Sequence, residues 1–170
     1  MSHDKLTGLP NRYYAAEYLD EIFKGNDPGR YWLAKADIDG LKVVNDTYGH
    51  NCGDLVLSTI ASLLDNNLGR TLVCRWGGEE FLLVGPIVQD MESQRRQLER
   101  VRRVVAHQPI WYEEHLIHVT ITMGLAAYQG NFTAKEWIKV ADERLYEGKT
   151  HGKNQVVMQE TVADALRSAV

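Results

Sequence analysis

Two adjacent glycines, Gly77 and Gly78, separate the apolar run Thr71-Leu72-Val73-Cys74-Arg75-Trp76 from Phe81-Leu82-Leu83-Val84. Short runs rich in valine, leucine and aromatics suit strands, and a Gly-Gly pair suits the positive backbone angles of a tight reversal. The chain is thereby committed to a β-hairpin near its middle, and the remaining elements must pack around it. Tyr31 to Ile38 also has strand length, with Lys35 an awkward member if that strand is central. After the entry Leu9-Pro10-Asn11-Arg12, helical spacing joins Tyr14, Tyr18, Leu19, Ile22 and Phe23, and Gly25 to Gly29 breaks it. Asp39-Gly40 ends the first strand. A helix is predicted over Leu41 to Tyr48, a break over Gly49 to Gly53, and a second helix through Val56, Ile60, Leu63 and Leu64. A polar helix follows from Asp90 to His107, then β structure over Ile110 to Tyr112 and His115 to Ala127. A helix from Thr133 to Tyr146 carries Trp137, Val140, Ala141 and Leu145 on one side, and Gln155 to Met158 reads as a final strand. This order predicts an α+β layer of helices on a mainly antiparallel sheet.

At 170 residues the chain fits a single domain, which we place at residues 1–158. Residues 159–170 form a tail with Val162, Leu166 and Val170 at helical spacing. A net charge of -4 gives no support to duplex DNA or RNA binding, which favours a concentrated basic face. The one cationic run, Arg95 to Arg103, is interrupted by Glu99 and reads as a solvated helix face. Cys52 and Cys74 lack metal-ligand spacing, and the six histidines show none either, so free thiols in a reducing cytoplasm are expected. No stretch approaches the roughly 20 apolar residues of a membrane span, so no membrane contact by this domain is expected.

Three carboxylates stand out. Asp37 closes an apolar strand, and Glu79 and Glu80 flank the Gly-Gly turn. Such acids are often merely solvated when taken singly. Together they supply the hard oxygens Mg²⁺ takes when it binds through one or two carboxylates plus substrate phosphates. Gly77 and Gly78 would let phosphates approach the backbone with no Cβ in the way.

With these residues in place, the sequence resembles the GGDEF family of diguanylate cyclases over about Asp4 to Met158. Asp4-Lys5-Leu6-Thr7-Gly8-Leu9-Pro10-Asn11-Arg12 is similar to the family's opening motif, and Asp37 to His50 with Gly53-Asp54 is similar to its second block. Gly77-Gly78-Glu79-Glu80-Phe81 is the glutamate form of the signature. Ala141-Asp142, Leu145-Tyr146 and Lys149-Thr150-His151-Gly152-Lys153-Asn154 resemble the closing block. Five blocks in order are far more specific than one pentapeptide.

The resemblance implies a ferredoxin-like fold, a central antiparallel sheet surrounded by helices as in polymerase palms and class III cyclases. It implies condensation of two GTP into cyclic di-GMP with Mg²⁺ or Mn²⁺ held by Asp37, the Ile38 carbonyl and Glu79. Glu79 or Glu80 would help deprotonate the attacking 3′-hydroxyl, and Lys42 would stabilise transition-state charge. Asn45 and Asp54 would read guanine, although Asp54 also reads as an N-cap for the helix carrying Val56. Lys149 and Lys153 would grip phosphates, with Lys153 a point charge where the family usually has an arginine fork. Trp76 and Phe81 read as core packing and His50 as structural.

Two further positions depart from the family pattern. Leu41 replaces a common phenylalanine, and Leu68-Gly69-Arg70-Thr71 lacks the Arg-x-x-Asp of a product-inhibition site. Each domain would hold one GTP, so bond formation implies a homodimer about a two-fold axis. The first motif starts at Asp4, leaving no room here for the sensor or dimerisation unit relatives usually carry. We therefore expect a longer parent whose input and membrane status are not readable. Two rivals are weighed: a catalytically silent module binding GTP or cyclic di-GMP, and a purine cyclase of other product specificity.

Overall fold

The computed structural model describes residues 1–158, so the expected tail helix at 159–170 lies outside the described residues. The elements run α1 (Arg12–Lys24), β1 (Tyr31–Asp39), α2 (Leu41–Tyr48), α3 (His50–Asn67), β2 (Leu72–Gly77), β3 (Glu80–Pro86), α4 (Met91–His107), β4 (Ile110–Tyr112), β5 (His115–Ile117), β6 (Thr120–Ala127), α5 (Ala134–Thr150) and β7 (Val156–Val157). The main sheet has the order β2-β3-β1-β6-β7. β1 lies antiparallel between β3 and β6, so the strand that ends in Asp37, Ile38 and Asp39 is central. This is the expected α+β, palm-like arrangement, with one difference: β7 pairs parallel with β6, making the sheet mixed at that edge. β4 and β5 form a separate small hairpin, so the β region over 115–127 is interrupted.

Alternation along β1 divides two cores. Ala34, Ala36 and Ile38 pack against α3 and α4 through Val56, Ile60, Leu64, Leu98 and Val105. Leu33 on the opposite face joins Leu82, Val84 and Cys74 beneath α1 and α5, with Ala15, Leu19, Trp137 and Ala141. Cys52 and Cys74 are both free and buried. Asn11 caps α1 by accepting from the Tyr14 N–H, and Thr133 with Glu136 forms a capping box on α5. Among the described residues no helix is long and apolar enough to cross a membrane.

Three local readings are corrected. The break predicted over Gly49 to Gly53 is confined to Gly49, whose φ of +94° ends α2, and α3 starts at His50. Asp54 is therefore inside α3 and is not its N-cap. In the hairpin only Gly78 has a positive φ, +49°, while Gly77 pairs with Glu80, leaving Gly78-Glu79 as the turn. Helix α5 runs to Thr150, which places Lys149 in its last turn.

Helix α5 can carry that lysine to the sheet because it packs backbone to backbone on β6. A Cβ on Gly124 would stand 2.2 Å from the Ala141 carbonyl oxygen and 2.4 Å from the Leu145 nitrogen. Neither group can swing aside. Gly124→Ala should cost about 3 kcal/mol, the upper range for overpacking, measured as a lower urea midpoint with an unchanged slope.

Candidate active site

The carboxyl end of β1 and the β2–β3 turn are fastened together by backbone. The Ile38 N–H donates to the Glu79 carbonyl at 3.3 Å, and Asp37 lies directly opposite Glu80 in the β1–β3 register. The turn is held from outside by Arg75, which donates through Nε and Nη2 to the Gly78 carbonyl at 3.1 and 2.9 Å. The same guanidinium grips both carboxylate oxygens of Asp4 at 3.0 and 3.1 Å. The opening segment thus braces the glycine turn, so that the two glutamates are presented by a tethered loop.

Alternate residues of a strand share a face, so Lys35, Asp37 and Asp39 project together from β1. Helix α5 meets them with Asp142 and Lys149. Lys149 Nζ lies 2.6 Å from Asp39 Oδ1, 3.2 Å from Asp37 Oδ1 and 3.4 Å from the Ile38 carbonyl oxygen. Asp39 is buried and also accepts from Thr120, Thr122 and the Asn154 N–H. Burial alone would raise its pKa, but the hydrogen bonds from Lys149, Thr120 and Thr122 more than offset this and hold it low. Asp37 is the opposite case. Burial pushes its carboxyl up to about 6, which Lys149 opposes and the neighbouring Glu79 and Glu80 reinforce. Its Oδ1 is buried with no hydrogen-bond partner among the described residues; Lys149 is at ion-pair distance without hydrogen-bond geometry.

Lys149 supplies charge to this oxygen but no hydrogen bond, so the buried carboxylate still gains from a further positive partner. Asp37 Oδ1, the Ile38 carbonyl and the Glu79 side chain are the oxygens that could hold a hard divalent cation. No group of three or more His, Cys, Asp or Glu side chains among the described residues could do so alone. A cation taking one or two carboxylates and completing its shell from phosphates needs no such group.

The remaining predicted residues lie on α2, on α3 and in the turn after α5. Lys42 is exposed near the start of α2, and half-buried Asn45 sits one turn further along. Its amide is directed at Gly53 of α3, where a Cβ would stand 1.7 Å from Asn45 Oδ1. Asp54 is the next residue and is exposed. Lys153 is exposed in the turn after α5 with φ +60°, and Asn154 follows at +49°. Phe81 is fully buried as predicted, and Trp76 packs half-buried against the second core with the Arg12 guanidinium 3.9 Å from its ring centre. Sequence reasoning missed Asp39, Asp142 and the bracing pair Asp4–Arg75. The alternation Lys35, Asp37, Asp39 was the available signal for the first.

A palm-like sheet with acids at the end of its central strand and on the adjoining turn is the arrangement expected from the sequence resemblance. Residues 1–155 match the family described as diguanylate cyclase, GGDEF domain, and the chain belongs to that family. It is 39% identical over 162 residues to the response regulator PleD of Caulobacter vibrioides, covering 91% of this chain and 35% of that protein. It is 36% identical over 156 residues to the diguanylate cyclase DgcP of Pseudomonas aeruginosa, covering 90% of this chain and 23% of that one. Among solved structures, the Pseudomonas aeruginosa diguanylate cyclase SiaD, in complex with its activator SiaC, superposes with a TM-score of 0.86 at 36% identity, covering 92% of this chain and 61% of that chain. The GGDEF domain of DgcB from Caulobacter crescentus, in complex with c-di-GMP, gives 0.86 at 29%, covering 92% and 95%. The chain therefore spans well under half the length of PleD and DgcP, the two curated relatives compared.

Proposed function

We propose that this domain is an active diguanylate cyclase, condensing two GTP into cyclic di-GMP and two pyrophosphates across a two-fold pair of domains. The observation that carries the reading is the buried, unsatisfied Asp37 Oδ1 beside the Glu79 turn, with the Lys149 ammonium lodged among Asp37, Asp39 and the Ile38 carbonyl. Asp37, the Ile38 carbonyl and Glu79 would hold Mg²⁺ or Mn²⁺, which neutralises charge on the α-phosphate and departing pyrophosphate when bound. Asn45 and Asp54 bind guanine between α2 and α3. A carboxylate accepts from both N1–H and the exocyclic amine, an arrangement adenine does not offer. Lys149 and Lys153 hold the phosphates, and Lys42 adds positive charge towards the transition state. Glu79 or Glu80 would help take the proton of the attacking 3′-hydroxyl. The second GTP comes from a facing domain, whose own Asp37 and hairpin complete the second bond. GTP use and two free buried thiols suit a cytoplasmic domain.

Incubation with GTP and Mg²⁺ followed by chromatography tests this. The expected result is cyclic di-GMP formation whose specific activity rises with enzyme concentration, because the active species is a pair. Nucleotide binding without product would support a silent regulatory module instead.

Feedback is the next expectation. Leu68 is 2% exposed and serves the core, while Arg70 is exposed and Thr71 offers no carboxylate. A bidentate guanidinium donor is thus missing at the position where relatives place one. Calorimetric titration of cyclic di-GMP should show only weak binding that GTP displaces. Submicromolar binding abolished by both Arg70→Ala and Thr71→Ala would overturn this.

A further inference from the structure

Lys35 is the residue the proposed chemistry leaves unused. It is 1% exposed on the central strand, opposite Leu82 and between Ala34 and Ala36. A lysine there is expensive, because burying an ammonium forfeits its hydration, and an apolar residue of similar length would fill the space at lower cost. Its Nζ donates to Asp142 Oδ1 of α5 at 2.8 Å and to Glu80 Oε1 at 3.3 Å, and lies 5.3 Å from the centre of the Trp76 ring. Both acids are partly exposed, with side chains 48% and 39% accessible, so neither needs the lysine to escape an unfavourable burial. Stability does not explain the arrangement.

Its consequence for the hairpin is geometric. Glu79 and Glu80 are neighbours in sequence, yet Glu79 is in the turn and Glu80 is the first strand residue, facing Asp37 across the ladder. No hydrogen bond or ion pair among the described residues restrains the Glu79 side chain, which stays available to the nucleotide. Glu80 is anchored through one oxygen to a cation that is itself fixed by β1 and α5. We infer that Lys35 is a positioning residue: it clamps Glu80 in one orientation and so divides the roles of the two signature glutamates. Asp142 holds the clamp from α5. The catalytic consequence rests on the cyclase reading above.

Lys35→Met keeps most of the side chain's length and removes the charge. Expected is a fall in kcat of about 10- to 100-fold, a part of the roughly 10²- to 10⁴-fold that a positioned proton-transfer group contributes. KM for GTP should stay within about two-fold, because nucleotide contacts are untouched. The unfolding midpoint should stay level or rise. In a Glu80→Gln background the same change should alter kcat by less than about two-fold, since residues acting as one unit are non-additive. Equal losses in both backgrounds, or an unchanged kcat in Lys35→Met, would overturn the proposal. A second measurement needs neither turnover nor a Lys35 variant. In the unsubstituted domain carrying isotope-labelled lysine, the shielded Lys35 ammonium should give a resolved resonance that Glu80→Gln shifts. A resonance that Glu80→Gln leaves in place would show that the clamp does not exist, whatever the activity. A domain making no cyclic dinucleotide while that shift is present would sink the cyclase reading and leave the contact established.

Discussion

Asp37→Asn should lower cyclic di-GMP formation by about 10²- to 10³-fold, as for other losses of transition-state charge stabilisation, and yet make the metal-free domain more stable. The two effects share one cause. The folded chain holds the Asp37 carboxyl at about 6 against an ordinary 3.8, chiefly because the group is buried. The folded state therefore binds the proton more tightly than the unfolded chain. Between those two values the folded state carries more protons, so stability falls as pH rises through the window and stays low above it. The difference corresponds to about 3 kcal/mol at neutral pH. Asparagine has no charge to desolvate and should recover much of that, flattening the curve of stability against pH between about 4 and 6. Urea denaturation across this range, without and with Mg²⁺, checks the claim. Mg²⁺ should stabilise the unsubstituted domain through binding to the folded state alone and should do little for the variant. A variant that is destabilised without Mg²⁺, or that makes product at the unsubstituted rate, would sink the assignment.

Much of this centre was legible in the sequence because strand chemistry is local. The Gly-Gly turn, the apolar runs on either side and the acids at their ends are read directly, and period-two alternation puts Lys35, Asp37 and Asp39 on one face. What alternation does not reveal is which helix arrives on that face. Lys35 looked misplaced in a central strand because its partners Asp142 and Glu80 are 107 and 45 residues away. Asp39 looked like the end of a strand, although it gathers β6, α5 and the turn after α5 around one carboxylate. Gly53 misled in the other direction. Beside Gly49 it read as part of a helix break, but it lies buried within α3, where the missing side chain admits the Asn45 amide. The parallel pairing of β7 was equally hidden, since a two-residue strand has no pattern and its register depends on where α5 ends.

The guanine site yields the second large effect. Asp54→Ser should lower kcat/KM for GTP by about 10²-fold and remove most of the preference for GTP over inosine triphosphate, which lacks the exocyclic amine. Sites built to hydrogen-bond a substrate group discriminate strongly against analogues without it, because their own polar groups are left unpaired. Helix α3 is capped at Gly49 and Asp54 is exposed within it, so the substitution should leave the unfolding midpoint nearly unchanged. Gly53→Ala tests the same pocket by displacing the Asn45 amide without replacing either base-reading residue. In most helices this change adds up to about 1 kcal/mol of stability. Here the new methyl would stand 1.7 Å from Asn45 Oδ1, and the amide, being the far end of a side chain, can rotate away. The fold should survive with little net change while KM for GTP rises about tenfold, the effect of losing one specific hydrogen bond. Competition between GTP, inosine triphosphate and ATP, alongside thermal unfolding, separates the outcomes. If Gly53→Ala folds and leaves KM for GTP unchanged, Asn45 is no reader of guanine. If Asp54→Ser keeps full discrimination, guanine is recognised elsewhere in the domain.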